Sequence, residues 1–176
     1  MDETLALILR RLTTEGEKTA AFFEALGPDD WDQQVYTTGS RWRARHILAH
    51  FVSAERAYGR TLCQVLAGES GLPRDFDLDA FNEAEVASLI ALDTPSLLAA
   101  FRQARAETVD LVSSLDSDDL AQRGYHPWFG DSALEDMLKL IYRHNAIHQR
   151  DVRRALDTRR PVEHQEIEPP SRSERT

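Results

Sequence analysis

The chain has 176 residues, of which 41% are hydrophobic and 29% charged, and its formal net charge is −9. This length fits one domain, and the apolar content suffices for a hydrophobic core, so a chain disordered over most of its length is excluded. Nucleic acids and anionic membranes attract basic surfaces, and the acidic balance therefore predicts that neither is a partner.

Two long N-terminal segments carry apolar residues at steps of three and four, as amphipathic helices do. The first runs from Glu3 to Leu26 and ends at Gly27-Pro28. The second spans about residues 41–67 and ends at Gly68. Residues 69–81 contain a glycine, a proline and three aspartates, which is typical of a connector.

The same periodicity resumes over 82–92 and over 96–115, and we take both pieces as a third helix. An aromatic loop over 125–130 comes next, and Ser132–Glu135 form a capping-box pattern that opens a fourth helix reaching about Asp157. No segment shows the alternation of a strand. We therefore predict an all-α fold, a four-helix bundle over residues 1–157, followed by a polar, mobile tail over 158–176.

The single cysteine, Cys63, excludes an internal disulfide and a site built from several thiolates. Its apolar neighbours indicate a small buried side chain rather than a nucleophile. The N-terminus lacks the pattern of a signal peptide, and no run of 18 apolar residues occurs. We expect a soluble, cytoplasmic protein.

Histidines form two pairs with a spacing of four, His46 with His50 and His144 with His148. Random placement would give about 0.2 such pairs. On a helix, this step leaves two side chains about 40° apart with roughly 6 Å between their Cβ atoms, so both imidazoles can bind one cation. Hydrogen-bonded core histidines are the alternative interpretation.

Three of these histidines lie on apolar helix faces. His144 and His148 continue the apolar row of the fourth helix, and His50 lies among apolar neighbours on the second. Burying unpartnered imidazoles costs roughly a few kcal/mol each, so a buried pair needs a stabilising partner. We predict that His50, His144 and His148 bind a divalent cation.

The remaining candidates have weaker arguments. His46 lies one turn nearer the helix start and is expected at the rim of the bundle, while His126 and His164 are expected not to be ligands. Asp151 lies about 20° around the helix from His144. It either supports the site, as an outer partner or general base, or pairs at the surface with Arg150 or Arg154.

The positions of the histidines also predict how the helices run. His50 lies about nine residues after the start of the second helix and His148 about nine before the end of the fourth, so they are level only if these helices are antiparallel. That requires an up-down-down-up order with a long crossover between helices two and three. The connector can extend about 46 Å, enough to return along a helix of about 40 Å.

Three imidazoles leave a coordination position for water or substrate, as catalytic zinc sites do. A cation held there can lower the pKa of bound water or stabilise a thiolate. Zinc and nickel both accept imidazole, and the sequence does not choose between them.

Three segments resemble the DinB/YfiT-like metalloenzyme family: Trp42–Phe51 with its Leu-Ala-His step, His126–Gly130 before a helix, and Tyr142–His148. The resemblance spans about residues 3–157. It implies a four-helix bundle, often dimeric, that binds a divalent cation through His50, His144 and His148. The family is related to the N-terminal domain of mycothiol-dependent maleylpyruvate isomerases and includes thiol-cofactor-dependent transferases.

We therefore expect a homodimeric metal-dependent enzyme, an S-transferase or hydrolase that activates water or the thiol of a low-molecular-weight cofactor for a small-molecule substrate. Because the 176 residues do not include the additional C-terminal domain of the isomerases, we expect a reaction other than theirs. One alternative is a non-catalytic small-molecule-binding or stress-response dimer that retains the metal. Another is a purely structural helical module without metal.

Overall fold

The computed structural model describes residues 2–164. Its helices are α1 (Glu3–Glu24), α2 (Ala44–Leu66), α3 (Leu78–Leu89), α4 (Thr94–Ser113) and α5 (Leu134–Thr158), and its strands are β1 (Arg123–His126) and β2 (Gly130–Ala133). The predicted all-α class is thus confirmed. Among the described residues, no helix combines the length and apolar character needed to cross a membrane.

Two buried clusters fix the direction of the four long helices. One joins the starts of α1 and α5 to the ends of α2 and α4, with members such as Leu5, Leu62, Val112, Leu134 and Met137. The other joins the ends of α1 and α5 to the starts of α2 and α4, with members such as Phe23, Leu48, Phe101, Val152 and Ala155. Helices α1 and α5 therefore run one way and α2 and α4 the other, which is the predicted up-down-down-up order.

The return from α2 to α4 is partly helical. Helix α3 packs Val86 and Leu89 into the cluster at the start of α2, so it forms part of the crossover. It begins four residues before the predicted position because the Asp77 carboxylate accepts a hydrogen bond of 2.9 Å from the backbone N–H of Ala80. Cys63, near the end of α2, is exposed and not buried as predicted.

The predicted absence of strands is wrong for one short hairpin. Strands β1 and β2 are antiparallel, with Arg123 opposite Ala133 and His126 opposite Gly130. Ser132 lies in β2, so the predicted capping box does not form, and α5 starts only at Leu134. The turn of the hairpin is formed by part of the predicted aromatic loop, which places that loop at the end of the bundle where α5 begins.

Residues 159–164, here called the C-terminal segment, pack against the loop before α2. The N–H of Val162 donates to the carbonyl of Val35 at 2.7 Å, and the N–H of Thr37 donates back to Val162 at 3.1 Å. Arg159 forms an ion pair with Asp30 at 2.8 Å. The first residues of the predicted mobile tail are therefore hydrogen-bonded to the domain, and residues 165–176 of that tail lie outside the described residues.

Candidate metal centre

Three histidine side chains meet between α2 and α5. The Nε2 atom of His144 lies 2.9 Å from Nε2 of His50 and 3.1 Å from Nε2 of His148. Each of the three side chains offers one ligand atom within 4.8 Å of the other two. The structure thus brings together the three histidines that the sequence singled out, because the antiparallel course of α2 and α5 makes them level.

The site lies against apolar side chains. His50 is 4% exposed and His148 7% exposed, whereas His144 is half-buried and marks the side nearer to solvent. The Trp42 ring lies 4.8 Å from the His50 ring, and the Phe51 ring lies 5.9 Å from that of His144. These aromatic walls exclude water from most of the site.

The surroundings keep all three imidazoles neutral. Burial lowers the pKa of His50 and of His148 well below the ordinary range, and the neighbouring histidines lower both further. Burial also lowers the pKa of His144 to about 4. Neutral imidazoles carry a free lone pair, which is the form that binds a metal ion.

Hydrogen bonds on the opposite ring nitrogens orient two of the three rings. Nδ1 of His144 lies 3.3 Å from Oδ1 of Asn145, an acceptor that a proton on this nitrogen would satisfy. Nδ1 of His148 is hydrogen-bonded to the Tyr36 hydroxyl. Burial, and then the charge of Asp151, raise the pKa of Tyr36, so the hydroxyl stays protonated and donates to Oδ2 of Asp151 at 3.4 Å.

This arrangement fits a cation. The Nε2 atoms of His144 and His148 lie 3.1 Å apart, and protons on both Nδ1 atoms would leave both Nε2 lone pairs free for a cation. His50 has a buried Nδ1 for which residues 2–164 provide no hydrogen-bond partner. A divalent metal bound at about 2.0–2.1 Å holds neighbouring nitrogens roughly 2.9–3.4 Å apart. The two separations from Nε2 of His144, 2.9 Å to His50 and 3.1 Å to His148, lie in this range.

Asp151 is both linked to the site and paired with Arg150, the two alternatives predicted for it. Its buried carboxylate lies 3.1 Å from the Arg150 guanidinium, and its other oxygen accepts from Tyr36 and, at 3.1 Å, from Nδ1 of His164. Through Tyr36 it is linked to the Nδ1 side of His148. Sequence reasoning missed Tyr36 because it lies in a loop without periodicity and no motif marks it.

The other histidines lie outside the three-histidine group. His164 stacks on the His148 ring, with centroids 5.0 Å apart and an angle of 6° between the planes. His46 accepts from the backbone N–H of Arg43 at 3.4 Å near the start of α2. His126 stacks on the Tyr58 ring at 5.8 Å. None of them presents a nitrogen within the three-histidine group.

Comparison with known proteins identifies related folds. YfiT from Bacillus subtilis, described as a probable metal-dependent hydrolase with an unusual four-helix bundle topology, gives a TM-score of 0.73 at 17% identity and covers 91% of this chain and 90% of its own. DfsB, a sibling lethal factor precursor, gives 0.71 at 13% identity, covering 92% and 100%. At such identities these likenesses show the fold. None of the curated proteins compared matches the sequence significantly.

A third relative has the same fold within a longer chain. The mycothiol-dependent maleylpyruvate isomerase gives a TM-score of 0.70 at 16% identity, covering 86% of this chain. The match spans only 63% of the isomerase. The family described as mycothiol maleylpyruvate isomerase N-terminal domain matches residues 12–153, a range that contains all three histidines. The chain therefore belongs to the family of mycothiol maleylpyruvate isomerase N-terminal domains and has the DinB/YfiT-like bundle that its motifs resemble.

Proposed function

We propose that the protein binds a divalent cation through His50, His144 and His148 and is a metal-dependent enzyme acting on a small molecule. The observation that carries the proposal is the convergence of three imidazoles in a largely buried site, with Nε2 of His144 2.9 Å from Nε2 of His50 and 3.1 Å from Nε2 of His148. A divalent cation bound to these nitrogens would replace any proton that they share, because a ligating imidazole binds through its free lone pair. YfiT, which shares this fold, is described as a probable metal-dependent hydrolase, and this supports the proposal.

The chain's own residues prepare the site for this role. The three imidazoles are held neutral by burial, and Trp42 and Phe51 keep bulk water away from their inner side. His144 is half-buried whereas His50 and His148 are buried, so we place the approach of a small molecule on the His144 side of the site. A zinc or nickel ion bound there would supply Lewis acidity, lowering the pKa of a coordinated water or thiol towards neutrality.

The candidate substrates are those that the family resemblance implies. A hydrolase would use water as the nucleophile, and an S-transferase would use the thiol of a low-molecular-weight cofactor. The isomerase that shares the fold is named for its dependence on mycothiol, which supports including such thiols among the candidates.

One observation favours the non-catalytic alternative, a small-molecule-binding or stress-response dimer that retains the metal. Asp151 accepts from Tyr36, His164 and Arg150 and is linked to the Nδ1 side of His148, away from the Nε2 atoms. It is therefore poorly placed to be a general base. This alternative predicts that the protein binds metal but shows no catalytic turnover.

An assay panel separates the two. Protein purified without a histidine tag is incubated with thiol cofactors and electrophiles, or with ester and amide substrates, before and after chelation and after addition of zinc or nickel. Turnover that chelation abolishes, that a metal restores and that His144→Ala lacks supports the enzyme. His46→Ala is the matched control because His46 lies outside the site. Bound metal with no chelator-sensitive turnover supports the alternative, and failure to bind metal contradicts both.

We further propose a cytoplasmic homodimer whose helical bundle spans residues 1–157, with the C-terminal segment packed against it. The single cysteine suits a reducing compartment, and the dimer follows from the family resemblance. Sedimentation equilibrium tests the dimer, since a monomer mass at micromolar concentration would contradict it.

A further inference from the structure

Tyr36 lies outside the bundle helices, and its hydroxyl contacts His148, one of the three candidate metal ligands. Tyr36 lies in the loop before α2, is 5% exposed, and hydrogen-bonds to Nδ1 of His148. Its ring lies at 6.0 Å from the His148 ring, centroid to centroid. The contact therefore involves the nitrogen that does not face the other histidines.

The direction of this hydrogen bond follows from the second partner of the hydroxyl. Oδ2 of Asp151 lies 3.4 Å from the Tyr36 oxygen, and a carboxylate only accepts. Tyr36 thus donates to Asp151 and accepts from His148, which requires the His148 proton on Nδ1. The lone pair of His148 is then on Nε2, directed at His144.

The C-terminal segment holds this chain of hydrogen bonds in place. His164 donates from Nδ1 to Asp151 at 3.1 Å and stacks its ring on His148. Two residues earlier, Val162 pairs with the backbone on both sides of Tyr36, through Val35 and Thr37. The loop that carries Tyr36 and the segment that carries His164 therefore pack together behind His148.

We propose that Tyr36 is a positioning residue for His148: its hydroxyl fixes the tautomer and the ring orientation that present Nε2 to the cation, and Asp151 with the C-terminal segment holds Tyr36. The inference rests on the proposed metal binding. Removing such an outer partner typically lowers metal affinity by about 10–100-fold.

The test compares two tyrosines near the site. Tyr36→Phe and Tyr58→Phe each remove one hydroxyl, but only the Tyr36 hydroxyl is hydrogen-bonded to a histidine within residues 2–164. Tyr58 is the control because its ring lies 6.3 Å from the His144 ring without such a hydrogen bond. Zinc affinity is measured by competition with a chromophoric chelator. We expect the zinc Kd to rise about 10–100-fold for Tyr36→Phe and to stay within about threefold of wild type for Tyr58→Phe.

Nitrogen-15 NMR of the metal-free protein gives a readout that a purely structural role would not move. Wild type and Tyr58→Phe should show His148 protonated on Nδ1, and Tyr36→Phe should show a mixture of tautomers or protonation on Nε2. If Tyr36→Phe fails to fold, Asp151→Asn replaces it, because it weakens the acceptor of the Tyr36 hydroxyl while keeping its shape. A roughly 3–10-fold loss of affinity in Asp151→Asn supports the inference, and wild-type affinity overturns it.

The outcomes also separate this inference from the proposed function. If wild type binds zinc and Tyr36→Phe matches Tyr58→Phe in both affinity and tautomer, the positioning role is overturned and metal binding stands. If wild type does not bind zinc, the proposed function fails, and the inference fails with it.

Discussion

The buried ion pair between α2 and α4 offers a quantitative test of the packing. The side chains of Glu55 and Arg105 are 1% and 6% exposed and contact each other through the carboxylate and guanidinium. Arg105 also donates to the carbonyl of Leu12 at 2.7 Å, and Thr108 donates to the other Glu55 oxygen at 3.0 Å. Glu55→Ala would leave the guanidinium buried without its counterion. Breaking a buried pair in this way costs about 3–5 kcal/mol of unfolding free energy.

A surface ion pair between α1 and α4 provides the control. Glu24 and Arg102 lie 2.8 Å apart, but their side chains are 61% and 48% exposed. Water screens this pair, so Glu24→Ala is expected to cost less than about 1 kcal/mol. Urea unfolding followed by circular dichroism, in the presence of chelator, measures both variants. A loss below about 1 kcal/mol for Glu55→Ala, or equal losses for the two, would refute the argument that burial sets the magnitude.

Two glycines in helix interiors should respond to alanine with opposite signs. A Cβ on Gly16 would lie 2.9 Å from Cγ of Arg105, so Gly16→Ala should destabilise by about 1–3 kcal/mol, whereas Gly59 faces open space and Gly59→Ala should stabilise by about 0.5–1 kcal/mol. If both variants shift the urea midpoint in the same direction, this interpretation of the packing around the two glycines is wrong. Burial lowers the pKa of His126 to about 4, below the ordinary value near 6.5, so the unfolded chain binds the proton more readily. The contribution of neutral His126 to the free energy of unfolding is therefore fully present above pH 6.5 and decreases towards pH 4. Between pH 7 and 5 this residue accounts for a loss of about 2 kcal/mol. A His126→Gln variant that keeps the full pH dependence of wild type would exclude His126 as the cause.

The helical bundle and the meeting of the histidines could be predicted from the sequence. Long helices repeat their apolar residues many times, so the pattern survives local exceptions. The order of the helices followed from a geometric requirement, since His50 and His148 are level only when α2 and α5 are antiparallel. The structure has this order.

The hairpin and the hydrogen bonds behind the site could not be predicted. Each strand has four residues, too few for alternation to stand out, and the strands are stabilised by pairing with each other. Tyr36 and His164 lie in irregular segments more than 100 residues apart along the chain, and only the fold brings both to Asp151. Local patterns carry no information on such contacts.

The central claim is that His50, His144 and His148 bind one ion. It is tested most directly by elemental analysis of untagged protein, purified without added metal, next to His148→Ala and the control His46→Ala. We expect about one divalent metal per chain in wild type and in His46→Ala, and its loss in His148→Ala. A wild-type protein without metal, even after incubation with zinc or nickel, or a His148→Ala variant that keeps its metal, would contradict the account.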